Sequence, residues 1–293
     1  MPSPLAELPV RRLTLRDLAA CADLSEEHGR PRTERTWSLL LTAGTGYGID
    51  APDVPEGKRL LAACTLTAYG LEAPHAPSYA VLGMLLVSPR HERRGLGSRM
   101  ARHALAQAGR AYVALYAPAS SDGFYGRLGF TVAGRSDTFR GHFRPSGPSA
   151  SVATRPATPD DLAAIIRLDT KVFGHDRTAM IARLPAFADR IRVAEDKDGL
   201  LGYAALWPER DVDTVGPLIA RDTDTAKALV ASLADDTGHP LRIDIDTRHA
   251  ELSDWLRAGG LARVSSSATM SYGASALPGD PRRRFAPLAT AAG

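Results

Sequence analysis

The chain of 293 residues has only two cysteines, Cys21 and Cys64. Two cannot build a disulfide framework or a four-thiolate zinc site, and such sparing use suits a reducing, cytoplasmic setting. The eight histidines are dispersed, no pair stands at helical ligand spacing, and no Cys-x-x-Cys occurs, so no metal is expected. Aromatic residues make up 6%, too sparse for a base-stacking platform, so no nucleic-acid partner is expected. No stretch approaches the roughly 18 apolar residues of a membrane span. The opening Met-Pro-Ser-Pro-Leu-Ala-Glu-Leu-Pro lacks a basic region followed by an apolar one, so neither a signal peptide nor a membrane partner is expected. A Gly-x-Ser-x-Gly nucleophile elbow and a Walker phosphate loop are also missing.

What remains is an ordinary soluble composition, 44% hydrophobic and 24% charged. The length suits one large or two ordinary domains, at roughly 100–200 residues each. A small net charge of +3 conceals an asymmetry: residues 1–150 carry 18 Lys and Arg against 13 Asp and Glu, whereas the remainder is net acidic. The basic half is the better place for an anionic ligand.

The chain also resembles itself. Arg11-x-x-Thr14-x-x-Asp17-Leu18 returns as Arg155-x-x-Thr158-x-x-Asp161-Leu162, each with the Thr and Asp spacing of a helix capping box and each followed by Ala-Ala. Later, Phe124-Tyr125-Gly-Arg-Leu-Gly129-Phe130 is paralleled by Trp255-Leu256-Arg-Ala-Gly-Gly260-Leu261. Two echoes in the same order point to a duplicated domain. Between the copies, Arg144-Pro-Ser-Gly-Pro-Ser-Ala-Ser151 reads as a linker. The expected organisation is one domain at 1–145, a linker at 146–151 and a second domain at 152–293, in a mixed α/β class with helices flanking each sheet.

In the first copy, Ala80 to Val87 is nearly all apolar and suits a strand buried on both faces. It runs into Arg90-His-Glu92-Arg93-Arg94-Gly95-Leu96-Gly97, and then apolar residues fall at the spacing of one helix face up to Gly109. Ala111 to Tyr116 reads as the next strand. A glycine-rich turn into a helix presents free N–H groups and the positive end of the helix dipole, which is a phosphate site. A dinucleotide fingerprint is excluded because Met100 stands at the third glycine and no acidic residue follows in the next strand.

Val87-Ser-Pro89-Arg-His-Glu92-Arg-Arg-Gly95-Leu-Gly97 resembles the acetyl-CoA loop of the GNAT superfamily of acyl-CoA-dependent N-acetyltransferases, with Glu92 where the family has Gln or Arg. Phe124-Tyr125-Gly-Arg-Leu-Gly129-Phe130 is similar to the family's late motif. The resemblance covers about residues 10–145, and the whole chain looks like tandem GNAT proteins with an active first domain and a diverged second one. It implies acetyl-CoA as co-substrate and a small-molecule or peptide amine as acceptor. Leu85, Leu86 and Val87 would align the pantetheine, Arg93, Arg94, Gly95, Leu96, Gly97 and Ser98 would hold the pyrophosphate, and Tyr125 would protonate the departing thiolate. The acceptor's proton needs a base, and Ser25-Glu26-Glu27-His28 offers Glu27 among the candidates. The competing reading is a CoA-binding sensor or interaction protein without turnover. In the second copy, Gly216-Pro217 and Asp222 and Asp224 before the central helix oppose phosphate binding, and Leu256 replaces Tyr125. Arg282-Arg283-Arg284 reads as a solvated turn.

Overall fold

The apolar run ending at Val87 forms a strand, but a longer one than its sequence pattern marks, Ala76–Val87. Its two faces are covered by different layers: Ala80 and Leu82 meet one cluster of buried residues, Tyr79 and Val81 another. That explains the lack of alternation. The helix after it, Leu96–Ala108, buries Leu96, Met100, Ala101, Ala104 and Ala108 against the first of these clusters.

A computed structural model describes residues 5, 7–29, 33–72, 76–145, 152–235, 237–274 and 276–293. The expected linker at 146–151 lies outside the described residues. The first half contains β1 (Arg11–Leu13), α1 (Leu18–Glu27), α2 (Glu34–Ala43), β2 (Thr45–Asp50), β3 (Leu60–Glu72), β4 (Ala76–Val87), α3 (Leu96–Ala108), β5 (Tyr112–Pro118), α4 (Asp122–Gly126) and β6 (Thr131–Gly141). The second half repeats the order with one extra helix and a last short strand. It has β7 (Thr154–Pro156), α5 (Leu162–Phe173), α6 (Thr178–Ile181), α7 (Leu184–Phe187), β8 (Arg190–Asp196) and β9 (Gly199–Glu209). It continues with β10 (Val212–Ala220), α8 (Thr223–Ala234), β11 (Leu241–Asp246), α9 (Ala250–Ala258), β12 (Ala262–Tyr272) and β13 (Arg284–Ala286).

Among the described residues these strands form one sheet, in the order β1-β2-β3-β4-β5-β12-β6-β11-β10-β9-β8-β7, with β13 beside β10. The halves trade their last strands. β12 lies between β5 and β6, with Thr269 opposite Tyr116 on one side and Gly134 on the other. β6 in turn pairs with β11, Phe139 opposite Ile243. Each half therefore has a foreign strand inside its own sheet, and no edge is left open between them. One continuous layer, with Trp37, Val81, Phe173, Met180 and Tyr203, covers a single face across both halves. α3 and α4 pack on the opposite face of the first half, and α8 and α9 on that of the second.

Both capping boxes form, though each opens a short 3-10 turn before the α-helix proper. Thr14 N donates to Asp17 at 2.8 Å, and Thr158 N to Asp161 at 2.7 Å. The repeated arginine has a partner in each copy. Arg11 donates to Asp17 at 2.7 Å and to Asp50 at 2.9 Å. Arg155 forks onto Asp161 at 2.7 and 2.9 Å and onto Glu195 at 2.7 and 2.9 Å. The six-residue spacing thus ties the first strand of each half to the start of its first helix.

These contacts make stability acid-sensitive. Hydrogen bonds from Arg11 lower the pKa of Asp50, and those from Arg155 hold Asp161 well below the usual carboxylate range and lower Glu195. Folded values below the unfolded ones give stability that is present above about pH 4 and is lost as pH falls through the folded values. Thermal melts should show the midpoint falling on acidification below about pH 4. Asp161→Asn should melt lower at neutral pH and lose less on acidification; an unchanged acid profile would show that the Arg155 cluster does not couple to folding.

Candidate active site

β4 and β5 are parallel and paired only at Tyr79–Val81 with Tyr112–Ala114. Beyond that they part. β4 carries an extra residue there: Leu86 faces Ala63 and Gly83 faces Thr65, so Met84 and Leu85 together oppose Cys64. Met84 accordingly takes φ 50. A bulge bends the strand that carries it, and here it leaves a wedge whose β4 wall is Leu85–Val87.

The loop of interest closes the end of this wedge. Arg93 and Gly95 have φ 57 and 86, left-handed values that turn successive N–H groups toward one side. Gly95 precedes α3, which has no side-chain cap, so its first amides stay available. Among the described residues nothing lies within 4 Å of where a Gly95 Cβ would be; the glycine is favoured by its backbone angle. Arg93, Arg94 and Glu92 are exposed, and among the described residues no ion pair joins Glu92 to either arginine. Leu96 is buried and anchors the helix, while Gly97 and Ser98 are half-buried at the wedge.

The late motif lands beside the early one. α4 packs so that Phe124 Cζ and Val87 Cγ2 lie 3.6 and 3.5 Å from the position of a Gly97 Cβ. Tyr125 is buried, with its ring 4.9 Å from Phe124 and 5.7 Å from Phe130. The chain then doubles back, Phe130 N donating to Tyr125 O at 3.1 Å across Gly129 at φ 93. In the second copy Leu261 N donates to Leu256 O at 3.0 Å across Gly260 at φ 101. Gly129 N to Gly126 O and Gly260 N to Arg257 O, each at 3.0 Å, match as well, so Leu256 stands where Tyr125 does in this turn.

Of the four candidates for the base, Ser25 is committed to packing: it accepts from Trp37 Nε1 at 2.8 Å and donates to Cys21 O at 3.1 Å. Glu26 and Glu27 are exposed at the end of α1. His28, next to Glu27, is the one that reaches the wedge, where its Nε2 accepts from Val87 N at 3.2 Å and lies against the Val87 carbonyl. Burial pushes Cys21 and Cys64 up to about 12, so both stay thiols at neutral pH, unsuited to nucleophilic attack. Among the described residues no group of His, Cys, Asp and Glu could hold a metal, and no helix is long and apolar enough to cross a membrane.

The corresponding wedge in the second half is filled by the chain itself. β10 and β11 pair only at Asp213–Val215 with Leu241–Ile243, and β10 bulges at the same point, Gly216–Pro217. Those two residues are inside the strand, not in the loop where their sequence suggested a degenerate phosphate site; the loop itself is Arg221–Asp222. β13 then pairs antiparallel with β10, Ala286 opposite Leu218 and Arg284 opposite Ile219, in the space where β10 has left β11. One amide at the start of α8 is taken too: Asp222 accepts from Thr225 N at 2.9 Å and from Thr225 Oγ1 at 2.7 Å. A strand in the wedge and a carboxylate on the helix start both oppose a phosphate ligand.

Comparison with known proteins gives the family. The model of the acetyltransferase (GNAT) family matches residues 13–130, and that of an acetyltransferase (GNAT) domain matches residues 165–286. The chain is a tandem-domain GNAT acetyltransferase, and so an acyltransferase enzyme. It is 27% identical to the uncharacterized N-acetyltransferase YitH of Bacillus subtilis (strain 168) over 65% of this chain and 69% of that one. Its fold is that of a candidate acetyltransferase from Pyrococcus horikoshii, at TM-score 0.79 and 18% identity over 98% and 96% of the two chains. It is also similar in fold to a tandem GNAT protein of the clavulanic acid biosynthesis pathway, at TM-score 0.62 and 13% identity over 90% and 98%.

Three features escaped the sequence reading. β13 is three residues long, below any periodic signal. Arg284 is not in a solvated turn: its run of arginines enters this strand. The contact of His28 with Val87 joins residues 59 apart, which no local spacing shows.

Proposed function

We propose that the protein transfers an acetyl group from acetyl-CoA to a primary amine by direct attack, using residues 1–145, with residues 152–293 as a supporting domain that binds no CoA. The observation that carries this reading is the contrast between the halves. The first has an open wedge, an uncapped helix start with left-handed residues before it, and Tyr125 beside both. The second has the same wedge filled by β13, the helix start capped by Asp222, and a leucine in place of the tyrosine.

The N–H groups at 93–98 bind the pyrophosphate, with Arg93 and Arg94 adding positive charge. The β4 wall, Leu85, Leu86 and Val87, aligns the pantetheine with its backbone. His28 presently occupies the Val87 amide, so it must turn aside when the pantetheine pairs there. The acceptor nitrogen attacks the thioester carbonyl carbon, the C–S bond breaks, and the Tyr125 hydroxyl gives its proton to the thiolate sulfur. The ammonium proton leaves to the end of α1, where Glu27 and His28 lie. No covalent enzyme intermediate is needed; holding amine and thioester together supplies much of the rate.

Three results follow. Gly97→Glu has ordinary room at Cβ but puts a carboxylate at the pyrophosphate, so calorimetry should show acetyl-CoA binding abolished in a folded variant. Tyr125→Phe should lower kcat by roughly 10²–10⁴ with acetyl-CoA affinity little changed, the usual size of a general-acid contribution; near wild-type kcat with chemistry limiting would remove the tyrosine from the mechanism. Titration of the full chain should saturate at one equivalent of acetyl-CoA. Two equivalents would mean that β13 gives way. The full chain is required because β6 and β12 are exchanged, and a piece cut at the linker would lose a central strand.

A further inference from the structure

A cavity lies between the halves, over the middle of the joined sheet. Its floor is built by Tyr79, Tyr116, Ser136 and Thr269 from β4, β5, β6 and β12, and Arg284 enters it from β13. Two other guanidiniums line it, and both are satisfied. Arg177 forks onto Asp169 at 2.9 and 2.6 Å, with both side chains almost wholly buried, and its remaining arm donates to Gly293 O at 2.6 Å. Arg248 forks onto Asp246.

Arg284 is different. Among the described residues it has no carboxylate within ion-pair distance, and its buried Nη2 has no hydrogen-bond partner. The Phe173 ring lies 5.4 Å from its guanidinium carbon, a cation–π contact. Ser136 Oγ, on a residue 4% exposed, is likewise without a partner. Burial lowers the pKa of Arg284, and the nearby Arg177 and Arg248 act in the same direction. Burial pushes Tyr116 up to about 12 and Tyr79 further, so both keep hydroxyl protons at neutral pH. An unpaired buried cation and an orphaned buried hydroxyl are each unfavourable, and one ligand relieves both.

We propose that this cavity seats a small carboxylate on Arg284 and Ser136, and that the amine acetylated by the enzyme carries that carboxylate. The first clause stands on the cavity alone; the second rests on the acetyltransferase reading above. Arg284 brings a positive charge with no carboxylate of its own among the described residues, and a singly charged carboxylate matches it more closely than a phosphate ester near −2. The available partners, a guanidinium arm and hydroxyls, can each donate, and a carboxylate is an acceptor with about four lone-pair sites. The cavity floor reaches β5 near where the wedge begins. Tyr116 stands two residues past Ala114, the last β5 position paired with β4. A molecule of amino-acid size held at Arg284 can turn its amine toward the place where the thioester would lie.

The test uses the full chain and matched probes: glycine, β-alanine and γ-aminobutyrate against methylamine, ethylamine and propylamine, with butyrate as a carboxylate lacking an amine. Calorimetry and thermal shift read binding, and CoA release with acetyl-CoA reads transfer. At least one amino carboxylate should bind and be acetylated with kcat/KM about tenfold or more above its carboxylate-free partner. Arg284→Gln should erase that preference while acetyl-CoA affinity stays unchanged, and Ser136→Ala should reduce it in a separate variant. Carboxylates that do not bind, or a folded Arg284→Gln that keeps the preference, would overturn the anion site. Carboxylates that bind through Arg284 while only carboxylate-free amines are acetylated would overturn the second clause. Carboxylate binding with neither acetyl-CoA binding nor transfer would leave the anion site standing and sink the proposed function instead.

Discussion

Two pairs of parallel strands that separate after three residues govern this molecule. In each pair the strand that leaves does so at a bulge, Met84–Leu85 in β4 and Gly216–Pro217 in β10. A parted strand exposes backbone N–H and C=O groups that must find partners or water. β10 satisfies its own with β13, a strand from the same chain. Among the described residues no strand does this for β4. The same geometric event thus yields a closed structural element in one half and a ligand-ready wall in the other.

The helix starts follow the same logic. A helix needs something at its first amides. α8 supplies it internally through Asp222, a side chain of the preferred capping type that contributes about 1 kcal/mol. α3 is entered through Gly95, which has no side chain to offer. The first half therefore forgoes local stability where the second half takes it. A site kept less stable than its duplicate is what a binding function requires of otherwise equivalent structure.

Much of this was legible in the sequence, because the informative signals were local. The loop and its helix follow from a strand run, a glycine pair and one apolar face between Leu96 and Ala108. The duplication follows from the Arg11 and Arg155 boxes, whose arginines proved to bond the very aspartates that define the repeat. What was not legible depends on partners distant in sequence. β6 and β12 each carry an ordinary strand pattern, and nothing in that pattern says which half it will join. The domains read as neighbours along the chain are, in three dimensions, completed by each other. Glu27 was singled out as a carboxylate near a helix end, yet the side chain that arrives at β4 is His28, a matter of which way the last turn of α1 faces.

The exchange of strands also explains why the candidate anion cavity is where it is. Ser136 and Thr269 come from the two traded strands, so the cavity floor exists only once both halves have folded together. β13 then has two faces of consequence. Along its backbone it closes the wedge of the second half. Through the Arg284 side chain it delivers a cation to a cavity whose floor includes Tyr116, two residues past the point where β4 and β5 part. The buried Arg177–Asp169 pair holds the roof, since breaking such a pair costs about 3–5 kcal/mol, and Arg177 also fixes the final turn of the chain through Gly293 O. On the reading proposed above, the second domain is placed to shape what the first one acts upon: its own filled wedge is the platform from which Arg284 reaches across.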